Sequence, residues 1–270
     1  MRSVLITGVS SGIGYGLTNE FILRNYYVFG SVRNSSTGDE LKKRWGDNFH
    51  PLIFDICNIK EIENAETVLK EKLNGGSLTA VINNAGSAKM GPLLYVSSED
   101  FRRQLDSLVV GQLNVIQRFY KHLISQGNSN NGKIFNISSI SGQGSNYFFG
   151  CYAAGKHALE GLSKTLRDEL KIFGIELVVV APGNIETSIW KKQKKETVEK
   201  YKNTEYYNSL LGYVNSLQQG APSNSMKIDE FCKAFMLIFN TNNHLKRYII
   251  VKGKRARIPF SKNKVRIYEK

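Results

Sequence analysis

Tyr152 and Lys156 stand four residues apart, and Ser139 precedes the tyrosine by thirteen residues. On a helix, the four-residue spacing puts the phenol and the ammonium one turn apart on a single face. A phenol titrates near pH ~10, too high for easy proton exchange near neutrality. A neighbouring cation favours the phenolate and predicts a lowered value. A serine hydroxyl on a preceding strand would hold a substrate oxygen beside the phenol. These three side chains therefore point to acid/base chemistry at an oxygen, with tyrosine moving the proton.

A second group of residues could hold an anionic cofactor. Thr7-Gly8-Val9-Ser10-Ser11-Gly12-Ile13-Gly14 follows a short apolar run and opens a helical pattern. Glycines there permit a tight turn, and the helix N-terminus favours a pyrophosphate. Gly8, Ser10, Ser11, Gly12, Ile13 and Gly14 are the expected contacts. The next apolar run ends in Ser31-Val32-Arg33-Asn34, without an acid. An acid would hold the ribose 2′-hydroxyl of NAD, whereas Arg33 can pair with a 2′-phosphate. NADP(H) is the expected cofactor, with NAD(H) as the alternative. Asp55, followed by Ile56, could accept from the adenine amino group. Asn83-Asn84-Ala85-Gly86 could pass under the adenine ribose, with Asn84, Ala85 and Gly86 in contact. Strand-end turn chemistry is the alternative at each position.

The elements needed to position these groups alternate along the chain. Strands are expected at Ser3–Thr7, Tyr27–Val32, His50–Asp55, Thr79–Asn83, Gly132–Ser138, Glu176–Ala181 and, last, Arg247–Val251. Helices are expected at Gly12–Arg24, Glu61–Leu73, Ser98–Ser125, Cys151–Phe173 and Asp229–Asn240. Short apolar strands between helices predict an α/β chain: a doubly wound parallel sheet, or Rossmann fold, with helices on both faces. Residues 190–226 form an insertion rich in tyrosine. It reads either as a substrate lid or as a packed surface helical pair. Tyr147, Phe148, Phe149 and Trp190 either line an apolar pocket or belong to the core.

The 270 residues fit one dinucleotide-binding domain spanning 1–270. No apolar run reaches the roughly 18 residues of a membrane span. The start is too short in apolar residues for a signal peptide, and a cytoplasmic location is expected. Cys57, Cys151 and Cys232 are widely spaced and suit structural thiols. The four histidines lack ligand spacing, so no metal is expected. The net charge is +14, with lysines at 191, 192, 194 and 195 and a basic tail at 252–270. No nucleic-acid motif accompanies that charge. A solvated face or peripheral contact with an anionic membrane surface are the readings of the tail.

Taken in order, Thr7-Gly8-x-x-x-Gly12-x-Gly14, Asp55, Asn83-Asn84-Ala85-Gly86, Ser139, Tyr152-x-x-x-Lys156 and Pro182-Gly183-x-x-Thr187 resemble the single-domain short-chain dehydrogenase/reductase family. The resemblance covers nearly the whole chain. It implies that Ser139 binds and polarises a carbonyl and that Tyr152 donates or accepts the proton. It implies that Lys156 holds the nicotinamide ribose and lowers the tyrosine pKa. Pro182, Gly183, Ile185 and Thr187 would flank the nicotinamide and its phosphate. The segment Val109–Val115 and Lys246-Arg247-Tyr248 are similar to the 17β-hydroxysteroid and retinol dehydrogenase-like branch. A small apolar carbonyl or alcohol substrate and a homo-oligomer are implied as partners. A catalytically silent NADP-binding protein is the rival. Two residues depart from the family pattern. Leu108 stands where an asparagine usually supports a helix kink and a proton-relay water, and Gly155 stands where serine often precedes the lysine.

Overall fold

Runs such as Val4-Leu5-Ile6 and Val178-Val179-Val180 are apolar in consecutive positions and fully or almost fully buried. Such strands need cover on both faces. The computed structural model describes residues 2–124, 132–186, 194–218, 225–242, 244–252 and 265–269. The strands are β1 (Ser3–Ile6), β2 (Tyr27–Val32), β3 (Phe49–Ile53), β4 (Ala80–Asn83), β5 (Lys133–Ile137), β6 (Glu176–Pro182), β7 (Arg247–Lys252) and β8 (Val265–Glu269). The helices are α1 (Gly12–Ile22), α2 (Ser35–Trp45), α3 (Ile59–Leu73), α4 (Ser98–Leu105), α5 (Gly111–Phe119), α6 (Gly150–Leu170), α7 (Lys194–Lys200), α8 (Tyr207–Gln218) and α9 (Ile228–Phe239).

The strands form one sheet in the order β3-β2-β1-β4-β5-β6-β7-β8. The first seven run parallel, and β8 pairs antiparallel with β7. Alternation along β1 sends Val4 and Ile6 into one apolar layer and Leu5 into the other. The first layer packs phenylalanines of α1 and α9 (Phe21, Phe231, Phe235, Phe239) against Phe135 of β5. The second packs α3 and α5 through Ile62, Leu69, Ile116 and Phe119. Each fully buried phenylalanine contributes about 1.5–3 kcal/mol. The strand order reverses between β1 and β4, and the loops beyond their carboxyl ends open a crevice there.

Three expectations need correction. The helix expected over Ser98–Ser125 is broken: a π turn at Asp106–Val110 separates α4 from α5, and Tyr120–Leu123 is a 3₁₀ turn. Arg247–Val251 is not the last strand, because β8 folds part of the basic tail onto the sheet edge. Its pattern was hidden by the dense charge around it. Helix α2 was also missed. Its sequence, Ser-Ser-Thr-Gly-Asp-Glu-Leu-Lys-Lys-Arg-Trp, is polar, but Asn34 caps it by accepting from Thr37 N at 2.9 Å.

Candidate active site

The glycine turn joins β1 to α1. Gly8 and Gly12 have φ of 72° and 62°, values that side chains rarely tolerate. A Cβ at Gly8 would lie 2.9 Å from Ala85 Cα, so the turn and the loop after β4 approach as bare backbone. Thr7 knits the two together. Its hydroxyl accepts from the backbone N–H groups of Asn84 and Ala85, each at 2.9 Å. The Asn84 amide donates in return to the Thr7 and Gly8 carbonyls at 2.9 and 3.2 Å. Ser31, at the end of β2, accepts from Gly8 N at 2.9 Å. Thr7 opens the glycine motif of the sequence, whereas Ser31 carries no signal of this role beyond its place near a strand end.

A cleft of about 340 Å³ opens over this turn, a size typical of small-molecule and cofactor sites. Its lining includes Gly8, Ser10, Ser11, Gly12, Ile13, Arg33, Asp55, Ile56, Asn84, Ala85 and Gly86. It continues past Ser139, Tyr152, Lys156, Pro182, Gly183 and Ile185. Gly14 does not border it. A Cβ there would collide with the Gly8 carbonyl and sit 2.6 Å from Asn84 Nδ2, so this glycine serves packing behind the turn. Thr187, Trp190, Lys191 and Lys192 lie outside the described residues. Asp55 Oδ1 accepts from Cys57 N at 2.8 Å, which is turn chemistry at the cleft wall. The bare turn at a helix N-terminus, with Arg33 beyond it, fits a phosphorylated dinucleotide.

At the other end, α6 carries Tyr152 and Lys156 on one face, and Ser139 follows β5. Lys156 is 5% exposed. Its Nζ donates to the Ile137 carbonyl at 2.7 Å and lies 5.8 Å from the Tyr152 ring centroid. Burial pulls the Lys156 pKa down to about 8, against an opposing pull from Glu160. The expected lowering of the Tyr152 pKa does not appear. Burial pushes the phenol up, and a hydrogen bond with Ser139 offsets this in part. The lysine spends its nearest contact on a backbone carbonyl, and desolvation of the phenolate wins.

Leu108 lies within the π turn and is 1% exposed. Gly111 N donates to the Asp106 carbonyl, five residues back, so the helix deforms here without an asparagine. The space around Leu108 comes from two glycines. A Cβ at Gly86 or at Gly155 would stand 2.8 Å from a Leu108 methyl carbon.

The described helices of the insertion pack beside the end of the cleft that Phe149 lines. α7, the turn after it and α8 pack with Ala88, Met90, Phe148 and Phe149 through Val198, Tyr201, Leu210 and Val214. The described part of 190–226 therefore contains the packed helical pair. Of the aromatics before α6, Phe149 lines the cleft, Phe148 is buried under Tyr206 and Tyr213, and Tyr147 is 76% exposed. Phe148 has φ of 62°, an unusual conformation for a bulky residue. Asp100 of α4 anchors the cover: Lys200 of α7 donates to it at 2.7 Å, and Lys89 approaches at 2.5 Å. The hydrogen bond from Lys200, then that from Lys89, holds its carboxyl well below the usual range.

The short chain dehydrogenase family profile matches residues 2–198. The NADPH-dependent 3-dehydrocapnine reductase of Ornithobacterium rhinotracheale is 35% identical over 207 residues, covering 76% of this chain and 73% of that protein. Estradiol 17-beta-dehydrogenase 2 of Mus musculus is 28% identical over 226 residues, covering 80% of this chain and 58% of that protein. A short-chain dehydrogenase structure from Streptomyces avermitilis superimposes with a TM-score of 0.77 at 24% identity, covering 92% of this chain and 87% of that one. With the parallel sheet, the glycine turn and the Ser-Tyr-Lys cleft already in place, this chain belongs to the short-chain dehydrogenase family.

Proposed function

We propose that the protein is an NADP(H)-dependent oxidoreductase interconverting a ketone or aldehyde and an alcohol, with Tyr152 as the acid/base. The observation that carries this reading is one continuous cleft. The bare glycine turn and Arg33 stand at one end, and Ser139, Tyr152 and Lys156 at the other. A silent nucleotide binder has no use for that second end.

When bound there, the nicotinamide nucleotide supplies or takes up the hydride. The Ser139 hydroxyl holds the substrate oxygen beside the phenol. In reduction, Tyr152 gives its proton to the oxygen as charge develops, and its raised pKa keeps that proton in place until then. An ammonium has three donors. Lys156 commits one to Ile137, and the nicotinamide ribose hydroxyls and a water suit the others. Arg33, with no acid at the end of β2, favours the 2′-phosphate of NADP(H). The name of the Ornithobacterium relative agrees with that choice. Phe149, Ile140 and Leu108 on the cleft wall suit an apolar carbonyl compound.

The family resemblance adds a homo-oligomer, which light scattering would test. Vesicle sedimentation would test contact between the basic tail and anionic lipid. Among the described residues no helix is long and apolar enough to cross a membrane. The reaction itself is tested by following NADPH and NADH oxidation with a panel of aromatic, steroid and long-chain ketones and aldehydes. NADPH-dependent turnover supports the reading, and no turnover with any carbonyl compound refutes it.

A further inference from the structure

Glu160 follows Lys156 by one turn of α6, and its side chain is only 11% exposed. Its two carboxylate oxygens accept four hydrogen bonds from outside the helix. The Ser138 hydroxyl donates to Oε1 at 2.7 Å, and Gln143 Nε2 donates to Oε2 at 3.2 Å. From β7, Arg247 Nε donates to Oε2 at 2.9 Å and Nη2 to Oε1 at 3.0 Å. The Arg247 side chain is 8% exposed, so both charges of this bidentate pair lie out of water.

Ser138 and Gln143 bracket the turn that carries Ser139. Within it, Ser141 N donates to Ser139 Oγ at 3.1 Å, and Gly142 N donates to the Ser139 carbonyl at 2.9 Å. Gly142 leaves space for the carboxylate: a Cβ there would lie 2.6 Å from Ser138 Oγ and 2.7 Å from Glu160 Cδ. A buried ion pair is a weak source of stability, because desolvation offsets its attraction. Its place against this turn is better explained by geometry at the reacting end of the cleft.

We propose that Glu160 is a positioning residue: it clamps both ends of the Ser139 turn, with Arg247 as its buried counter-charge. Through that clamp the Ser139 hydroxyl is held toward Tyr152. The same carboxylate faces Lys156 along the helix. The other groups around the ammonium are Tyr152 on α6, the Ile137 carbonyl of β5 and, beyond Glu160, Arg247 of β7. Glu160 opposes the loss of the Lys156 proton that burial promotes. Removing its charge should let Lys156 deprotonate at lower pH.

The kinetic readout rests on the proposed carbonyl chemistry, so a second readout independent of substrate is needed. Glu160→Gln leaves Arg247 buried and unpaired, which threatens folding. The double variant Glu160→Gln/Arg247→Met removes both charges, and Ser138→Ala cuts one arm of the clamp alone. For each variant, deuterium uptake by residues 138–143, NADPH affinity and the pH profile of kcat would be measured. The proposal expects faster uptake in that segment in both variants, with NADPH binding unchanged. It expects kcat to fall by roughly tenfold in the double variant, from misplacement of the reacting group. The basic limb of its profile should move to lower pH. Wild-type uptake and an unshifted profile in a folded double variant would overturn it. If the wild-type protein reduces no carbonyl compound, the proposed function fails, and the uptake result still decides the clamp.

Discussion

Leu108 and Gly155 occupy each other's missing volume: a Cβ placed on Gly155 would stand 2.8 Å from Leu108 Cδ1 and 3.1 Å from Leu108 Cβ. These are the two positions that the family resemblance marks as departures from its usual pattern. Leucine supplies apolar bulk where asparagine is usual, and glycine removes the side chain that would meet it. The departures form one compensated exchange. The helix still deforms at the π turn that holds Leu108, so backbone geometry survives without the amide.

The exchange should be visible as coupling. Gly155→Ser alone should destabilise by about 1–3 kcal/mol through overpacking. Leu108→Asn alone should cost about 2–5 kcal/mol through a cavity and a poorly partnered amide. Combined, the two should cost less than their sum by roughly 0.5–3 kcal/mol. Urea unfolding of the four proteins checks this, and strict additivity would contradict it. If leucine limits a proton relay, the double variant should also gain turnover where proton transfer limits the rate.

Cofactor choice should reside in Arg33. Arg33→Ala is expected to weaken NADPH binding by roughly 1.5–3 kcal/mol, the range for charge-assisted hydrogen bonds. NADH binding should stay nearly constant. Fluorescence titrations with both nucleotides measure the two changes, and equal losses would remove Arg33 from the 2′-phosphate site.

Lys156 should leave a signature in stability against pH. Its folded pKa, about 8, lies below the ordinary 10.5, so burial disfavours the charged form. The cost is fully present below pH 8 and is relieved as pH rises from about 8 to 10.5, where the unfolded state binds more protons. Lys156→Met should therefore gain stability relative to wild type below pH 8, on the order of 3 kcal/mol, and lose that advantage above it. A stability difference independent of pH across this window would show that the lysine is not desolvated.

Asp100 should govern the seating of α7. Its folded pKa is depressed, so its contribution is present above the ordinary carboxylate pKa of about 4 and is lost as pH falls through the lower folded value. Asp100→Asn should weaken the cover by about 1–3 kcal/mol at neutral pH. Deuterium uptake by residues 197–217 is the measure. Uptake in the variant equal to that in wild type at neutral pH would assign the seating to apolar contacts alone.

The parallel core was legible because its strands are apolar runs and its helices amphipathic, as with β2, predicted and found at Tyr27–Val32. The cleft residues were legible as strand-end motifs, since an α/β sheet gathers those ends on one edge. What escaped is non-local. The π turn at Asp106–Val110 has only Gly111 at its end as a local mark, and the room for Leu108 comes from Gly86 and Gly155 in other elements. Glu160 reads as an ordinary polar helix residue until Arg247, 87 positions later, meets it. The fall expected for the Tyr152 pKa weighed the neighbouring ammonium alone, whereas burial sets the sign.

Tyr152 is proposed to deliver the proton in a cleft that binds nucleotide independently of it. The most direct measurement is single-turnover carbonyl reduction by NADPH in wild type and Tyr152→Phe, with NADPH affinity determined in parallel. In Tyr152→Phe the rate should fall by on the order of 100-fold or more, with unchanged affinity. A Tyr152→Phe protein that retains most of its single-turnover rate would contradict it.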